Sequence, residues 1–152
     1  MRLLATALLV AVFPLNAADS LIGTWQLNIE KSEFLYKDPR YKRHVFTLEI
    51  VGRQLRYQEV AVFSDDRRFE AEFTASPKGT AIKPKMPTTF TPRGGAVSFE
   101  VAGDDMLWVM ATEKSGKVVA RWMMVLDGPQ LKTIQVTGGS GTRVYDRVSA
   151  SN

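Results

Sequence analysis

His44 is the single histidine of a 152-residue chain without cysteine, so the commonest acid-base and nucleophilic chemistry would have to pass through one imidazole. A Ser-His-Asp relay needs a serine held at that ring, and no serine here stands in a G-x-S-x-G elbow. One histidine without cysteine provides no zinc or copper ligand set, so no metal and no cofactor is expected. Asp65-Asp66 and Asp104-Asp105 are adjacent carboxylates. Neighbouring side chains on an extended chain point apart, which makes each pair a solvated turn and a poor acid-base dyad. Gly138-Gly139-Ser140-Gly141 leads into a strand pattern, so it reads as a hairpin loop and not as a phosphate cradle. The expectation is a protein that is not an enzyme.

What the chain does hold is apolar. Met106, Trp108 and Met110 fall on one face of a predicted strand, and Val118, Ala120, Trp122, Met124 and Leu126 on one face of the next. Methionine beside tryptophan adapts to varied apolar shapes, in a pocket or in an ordinary core alike.

The elements that must position these residues read as strands throughout. In residues 21–29, Leu21, Gly23, Trp25, Leu27 and Ile29 alternate with Ile22, Thr24, Gln26 and Asn28. Gly23, lacking a Cβ, lets another backbone approach the Trp25 ring. The basic stretch Lys37, Arg40, Lys42 and Arg43 is a loop around Pro39, either simply solvated or a docking point for an anionic head group. Residues 45–51 align Phe46, Leu48 and Ile50. In residues 54–63 Leu55 and Tyr57 are out of phase with Val60 and Val62, which predicts a bulge near Gln58. Residues 67–75 set Phe69, Ala71, Phe73 and Ala75 against Arg68, Glu70, Glu72 and Thr74, a charged outer face that excludes a lipid-facing barrel. Pro84, Pro87 and Pro92 confine any strand in residues 80–92 to a short or edge position. Four more strands follow, at 96–101, 106–113, 117–126 and 131–137, and a last one at 142–148. Eight to ten short strands and no helical period predict an all-β fold, a single antiparallel up-and-down barrel.

Met1-Arg2, an apolar run over residues 3–15 and the small Ala17 and Ala18 have the charged start, apolar middle and small end of a secretory signal peptide. Cleavage is expected after Ala17 or Ala18, so that residues 1–18 are leader and 19–152 one domain, secreted or periplasmic. The run is too short to span a bilayer and no second one follows, so no transmembrane span is expected after cleavage. A net charge of +4 with interspersed acidic residues lacks the basic stripe that nucleic acid requires.

Gly23-Thr24-Trp25 near the start and Arg143-Val144-Tyr145-Asp146-Arg147 at the end together resemble the calycin pattern of lipocalins and fatty-acid-binding proteins. That resemblance implies a first-strand Trp25 lying under an Arg from the end of the barrel and closing one mouth, with Arg147 the first choice and Arg143 the second. The wider run Gly23 to Asn28, Lys31-Ser32, Phe34, Gly116-Lys117-Val118-Val119 and Val144 to Arg147 is similar to a group of small secreted bacterial lipocalin-like proteins of unassigned function. A guanidinium over an indole gains about 0.5–2 kcal/mol and would tie the first strand to the last. Gly23, Trp25 and Arg147 are therefore expected to close the structure and not to touch a ligand.

The functional expectation is an exported lipocalin-like protein that binds a small apolar or amphipathic molecule in a barrel interior. Phe46, Tyr57, Phe73, Phe99, Trp108 and Trp122 would form the ligand-binding wall, the Tyr57 hydroxyl orienting a polar tip. The alternative is a non-enzymatic interaction or structural module of the cell envelope, its interior filled solid and its outer faces or proline-rich segment meeting a partner. The sequence names no protein partner.

Overall fold

Alternation of apolar and polar residues carries most of the chain into strands. The computed structural model describes residues 18–35, 40–137 and 141–149. A 3-10 turn, Asp19–Leu21, precedes β1 (Gly23–Glu33), β2 (Tyr41–Val51), β3 (Gln54–Phe63), β4 (Arg68–Ala75), β5 (Ala96–Val101), β6 (Met106–Thr112), β7 (Val118–Asp127), β8 (Gln130–Thr137) and β9 (Thr142–Arg147). They make one nine-stranded antiparallel sheet in the order β4-β3-β2-β1-β9-β8-β7-β6-β5. Every neighbour but β1 and β9 is also a chain neighbour, and pairing those two rolls the sheet into a nearly closed up-and-down barrel. Between β4 and β5 the connection, residues 76–95, touches β5 through isolated bridges from Lys78 to Glu100 and Ile82 to Val97. Its prolines leave room for no longer ladder.

Several local expectations are corrected. Strand β1 continues past Glu30 to Glu33, and its pairing with β9 shifts between Asn28 and Glu33. Asn28 and Ser32 hold that irregularity: Ser32 Oγ donates to the Asn28 carbonyl at 2.6 Å, and the Val144 N–H donates to Ser32 Oγ at 2.9 Å. The shift turns Ile29 outward to 42% exposure. No bulge interrupts β3 near Gln58, since β3 pairs residue for residue with β4, and the shift lies in β2 between Tyr41 and Arg43. Leu55, Tyr57, Glu59 and Ala61 therefore all point inward. Val60 faces out with Val45, where both line an open groove of about 890 Å³ beside residues 82–86. In β6 the interior face is Leu107, Val109 and Ala111, so Met106, Trp108 and Met110 lie outside and half-buried. Val118, beside the shift between β6 and β7, is exposed. Residues 1–17, which hold all but the last residue of the expected leader, the Lys37-Asp38-Pro39 stretch and Gly138-Gly139-Ser140 lie outside the described residues.

Candidate functional site

Five of the six aromatic residues expected to line the interior are buried there: Phe46, Tyr57, Phe73, Phe99 and Trp122. Strands β2 to β5 deliver four of them as a chain of contacts. Ring centroids are 5.4 Å apart for Phe46 and Tyr57, 5.2 Å for Tyr57 and Phe73, and 5.1 Å for Phe73 and Phe99. Trp108 is not among them. One residue out of step with Val109, it sits on the outer face under the Arg121 guanidinium, 4.4 Å from its ring centre.

At the centre of this apolar interior stands a carboxyl group. Glu59 is 2% exposed, and its partners come from three directions. His44 Nε2 lies 3.0 Å from Glu59 Oε2. The Tyr57 hydroxyl donates to the same oxygen at 2.9 Å. Thr89 donates twice, its N–H to Oε1 at 2.7 Å and its hydroxyl to Oε2 at 2.5 Å. Behind the imidazole, His44 Nδ1 lies 3.0 Å from the Tyr145 hydroxyl. One proton arrangement satisfies the line: Tyr145 donates to Nδ1, and Nε2–H donates to Glu59. No buried side-chain polar atom among the described residues is left without a partner. Burial, reinforced by the neighbouring Glu59, pushes the Tyr57 phenol well above its ordinary pKa, and burial likewise raises that of Tyr145. Both hydroxyls therefore remain donors.

Thr89 belongs to no strand. It sits in a turn of the β4–β5 connection bracketed by Pro87 and Pro92, and Thr88, Phe90 and Thr91 are buried. The turn is closed by its own hydroxyls. The N–H groups of Phe90 and Thr91 donate to Thr88 Oγ1 at 3.0 and 3.1 Å, and the Thr88 N–H donates to Thr91 Oγ1 at 3.0 Å. Its Phe90 ring lies 5.4 Å from Tyr57 and 5.0 Å from Trp122, so a segment outside the sheet completes the interior. Gly95 returns the chain to the sheet so closely that a Cβ there would stand 2.2 Å from the Thr112 carbonyl oxygen.

The closure around Trp25 uses the expected Arg147 and differs in what approaches Gly23. The Trp25 indole N–H donates to the Leu21 carbonyl at 2.9 Å, and the Arg147 guanidinium lies 4.2 Å from its ring centre. Arg147 also donates to the Ile22 and Ser20 carbonyls at 2.7 and 2.6 Å, tying β9 to the turn before β1. What approaches Gly23 is this side chain and not a backbone. A Cβ would stand 2.5 Å from Arg147 Nη1, and φ at Gly23 is +139°. Arg143 lies over Tyr41 instead, 5.3 Å from the ring centre.

No protein-family description matches the chain, and no curated protein sequence does. Solved structures do. A fatty-acid-binding protein of Schistosoma mansoni in complex with arachidonic acid superposes with a TM-score of 0.62 at 14% identity, covering 88% of this chain and 99% of that one. Fatty-acid-binding protein 1 of Echinococcus granulosus gives 0.59 at 18% identity, with 86% and 98% covered. An abundant heat-soluble (SAHS) protein of Ramazzottius varieornatus gives 0.59 at 12%, with 85% and 96% covered. The likeness is one of fold.

Within that fold, Glu59, His44, Thr89, Phe90 and Tyr145 are polar or turn-borne residues of the interior that the expected wall omits. The unbroken spacing of Leu55, Tyr57, Glu59 and Ala61 is the signal for Glu59, and the threonine-rich turn between two prolines is the signal for the insertion. Among the described residues no cluster of His, Asp and Glu is arranged to hold a metal, and no helix is long and apolar enough to cross a membrane.

Proposed function

We propose that this is an exported, non-catalytic barrel that binds a small apolar or amphipathic molecule in its interior, in the place that Phe90 now occupies. The observation that carries this reading is the Phe90 ring, contributed by a segment outside the sheet and set between Tyr57 and Trp122. Because the turn makes its own internal hydrogen bonds, it can leave the barrel intact. Withdrawal forfeits the burial of one phenyl group, about 1.5–3 kcal/mol, and the Thr89 bonds to Glu59. An entering chain recovers about 0.8 kcal/mol per methylene, so a few methylenes match the ring. Fatty-acid-binding proteins of the same fold support the ligand class.

Export rests on the leader pattern of residues 1–17. Ala18 is fully buried and its carbonyl accepts the Leu21 N–H at 2.8 Å, which favours cleavage after Ala17. A second reading, an interaction module, is favoured by the half-buried outer face of Met106, Trp108, Met110 and Met123. Native mass spectrometry of the protein from its host's exported fraction, with the denatured mass as reference, tests these points together. The expected result is a chain beginning at Ala18 and an added mass lost on denaturation, with Phe90→Ala retaining more of it. A bare mass in both proteins, unchanged after incubation with mixed lipids, transfers the function to the outer face.

A further inference from the structure

The most informative group in the interior is the one that least suits a fatty acid. An acid head brought to the centre of this barrel would set carboxyl against carboxyl at Glu59, with His44 and Tyr57 already committed to that group. The contacts that a ligand replacing the turn would have to reproduce are those of Thr89, an N–H on Oε1 and an O–H on Oε2. In threonine these two donors sit on adjacent carbons, N–Cα–Cβ–Oγ. Together they grip one carboxyl group as a fork. The next residue, Phe90, supplies the apolar part beside Tyr57 and Trp122.

Resting on the interior-binding reading, we propose that Glu59 is a head-group receptor for an amphiphile carrying an amide N–H and a hydroxyl on adjacent carbons, an N-acyl amino alcohol. Such a head repeats the N–C–C–O spacing of Thr89: its N–H satisfies Oε1, which withdrawal of the turn leaves without a donor, and its hydroxyl restores the third donor to Oε2, which keeps His44 and Tyr57. A buried acceptor left unsatisfied is penalised more than the bond itself is worth, so the site discriminates by the donors it is refused. The selection is therefore for donors, and against acids and esters of the same chain length.

The test is a titration of the unmodified mature protein at pH 8, followed by tryptophan fluorescence. Four probes share one chain: N-lauroylethanolamine with both donors, N-propyl lauramide with the N–H alone, methyl laurate with neither, and lauric acid. The expected order is ethanolamide, propylamide, ester, with about a threefold loss of affinity with the hydroxyl, since Oε2 keeps His44 and Tyr57, roughly tenfold with the N–H, and the acid weakest. An ester or acid binding as tightly as the ethanolamide overturns the head-group assignment while leaving interior binding in place. No binding by any of the four overturns the interior-binding reading itself. Folded Glu59→Leu protein is expected to lose the ethanolamide's advantage over the ester, and an advantage that persists in it refutes the role of Glu59. Should that variant not fold, the four-probe order on the unmodified chain decides alone.

Discussion

Glu59→Leu and Glu59→Gln are expected to differ in stability by about 3 kcal/mol, because the donors around Glu59 differ in whether they can reverse. Leucine removes the acceptor from Tyr57 and His44, which are 0% and 1% exposed and have no route to water. Each orphaned buried donor costs about 1–3 kcal/mol, so the pair costs roughly 4 kcal/mol. Thr89 adds little, since its turn can shift toward solvent. With glutamine the amide oxygen takes the place of Oε1 and keeps the Thr89 N–H, the one donor that cannot reverse. The amide nitrogen then faces the Tyr57 and Thr89 hydroxyls and His44 Nε2. Its two N–H groups serve His44 Nε2 and the Thr89 hydroxyl, which rotates to accept, and the Tyr57 hydroxyl turns to donate to Thr89. The imidazole can move its proton to Nδ1, where the Tyr145 hydroxyl accepts it. Glutamine should thus cost about 1 kcal/mol. Urea unfolding of the two variants measures the difference. Tyr57→Phe sharpens the test: it should destabilise the natural protein and stabilise Glu59→Leu, where it deletes an orphan. Leucine and glutamine variants of equal stability, with Tyr57→Phe destabilising in both backgrounds, would refute the reasoning.

Gly23→Ala meets Arg147 Nη1 and a φ of +139°, so it should cost about 2 kcal/mol; in an Arg147→Ala background the clash should vanish while the backbone strain remains, and a thermodynamic cycle from urea unfolding separates the two. For alkaline pH the sign follows from the raised phenols: the unfolded tyrosines lose protons from about pH 10, while folded Tyr57 and Tyr145 hold theirs to higher pH. Stability is therefore full below pH 10 and falls above it, and absorbance titration at the tyrosinate band should show both groups ionising only as the barrel unfolds.

The strand order, the inward phases of β4 and β5, and the Trp25 and Arg147 pair were legible because one face of each of these strands carries polar residues or because two distant motifs had to meet. Strand β6 was not. Met106, Leu107, Trp108, Val109, Met110 and Ala111 are apolar on both faces, and a one-residue slip exchanges them without cost in pattern. In β3 the valines outside and the glutamate inside invert the usual rule, so the interior carboxyl was hidden by the pattern that should have revealed it. Its partners come from β2, from β3 itself and from a turn some thirty residues away, and behind His44 stands Tyr145 of β9, a convergence that only the closed sheet produces.

The threonine turn between Pro87 and Pro92 is covalently part of the barrel it fills, so toward a guest taking its place it would act as a tethered competitor whose effective concentration does not change with dilution. Any guest is then bound with its intrinsic affinity divided by the share of molecules whose turn is withdrawn. If withdrawal costs about 3 kcal/mol, that factor is roughly a hundredfold or more. The barrel would ignore traces of a guest and fill only above a set level. Substitutions in the turn, with no change to the wall, would move that level up or down.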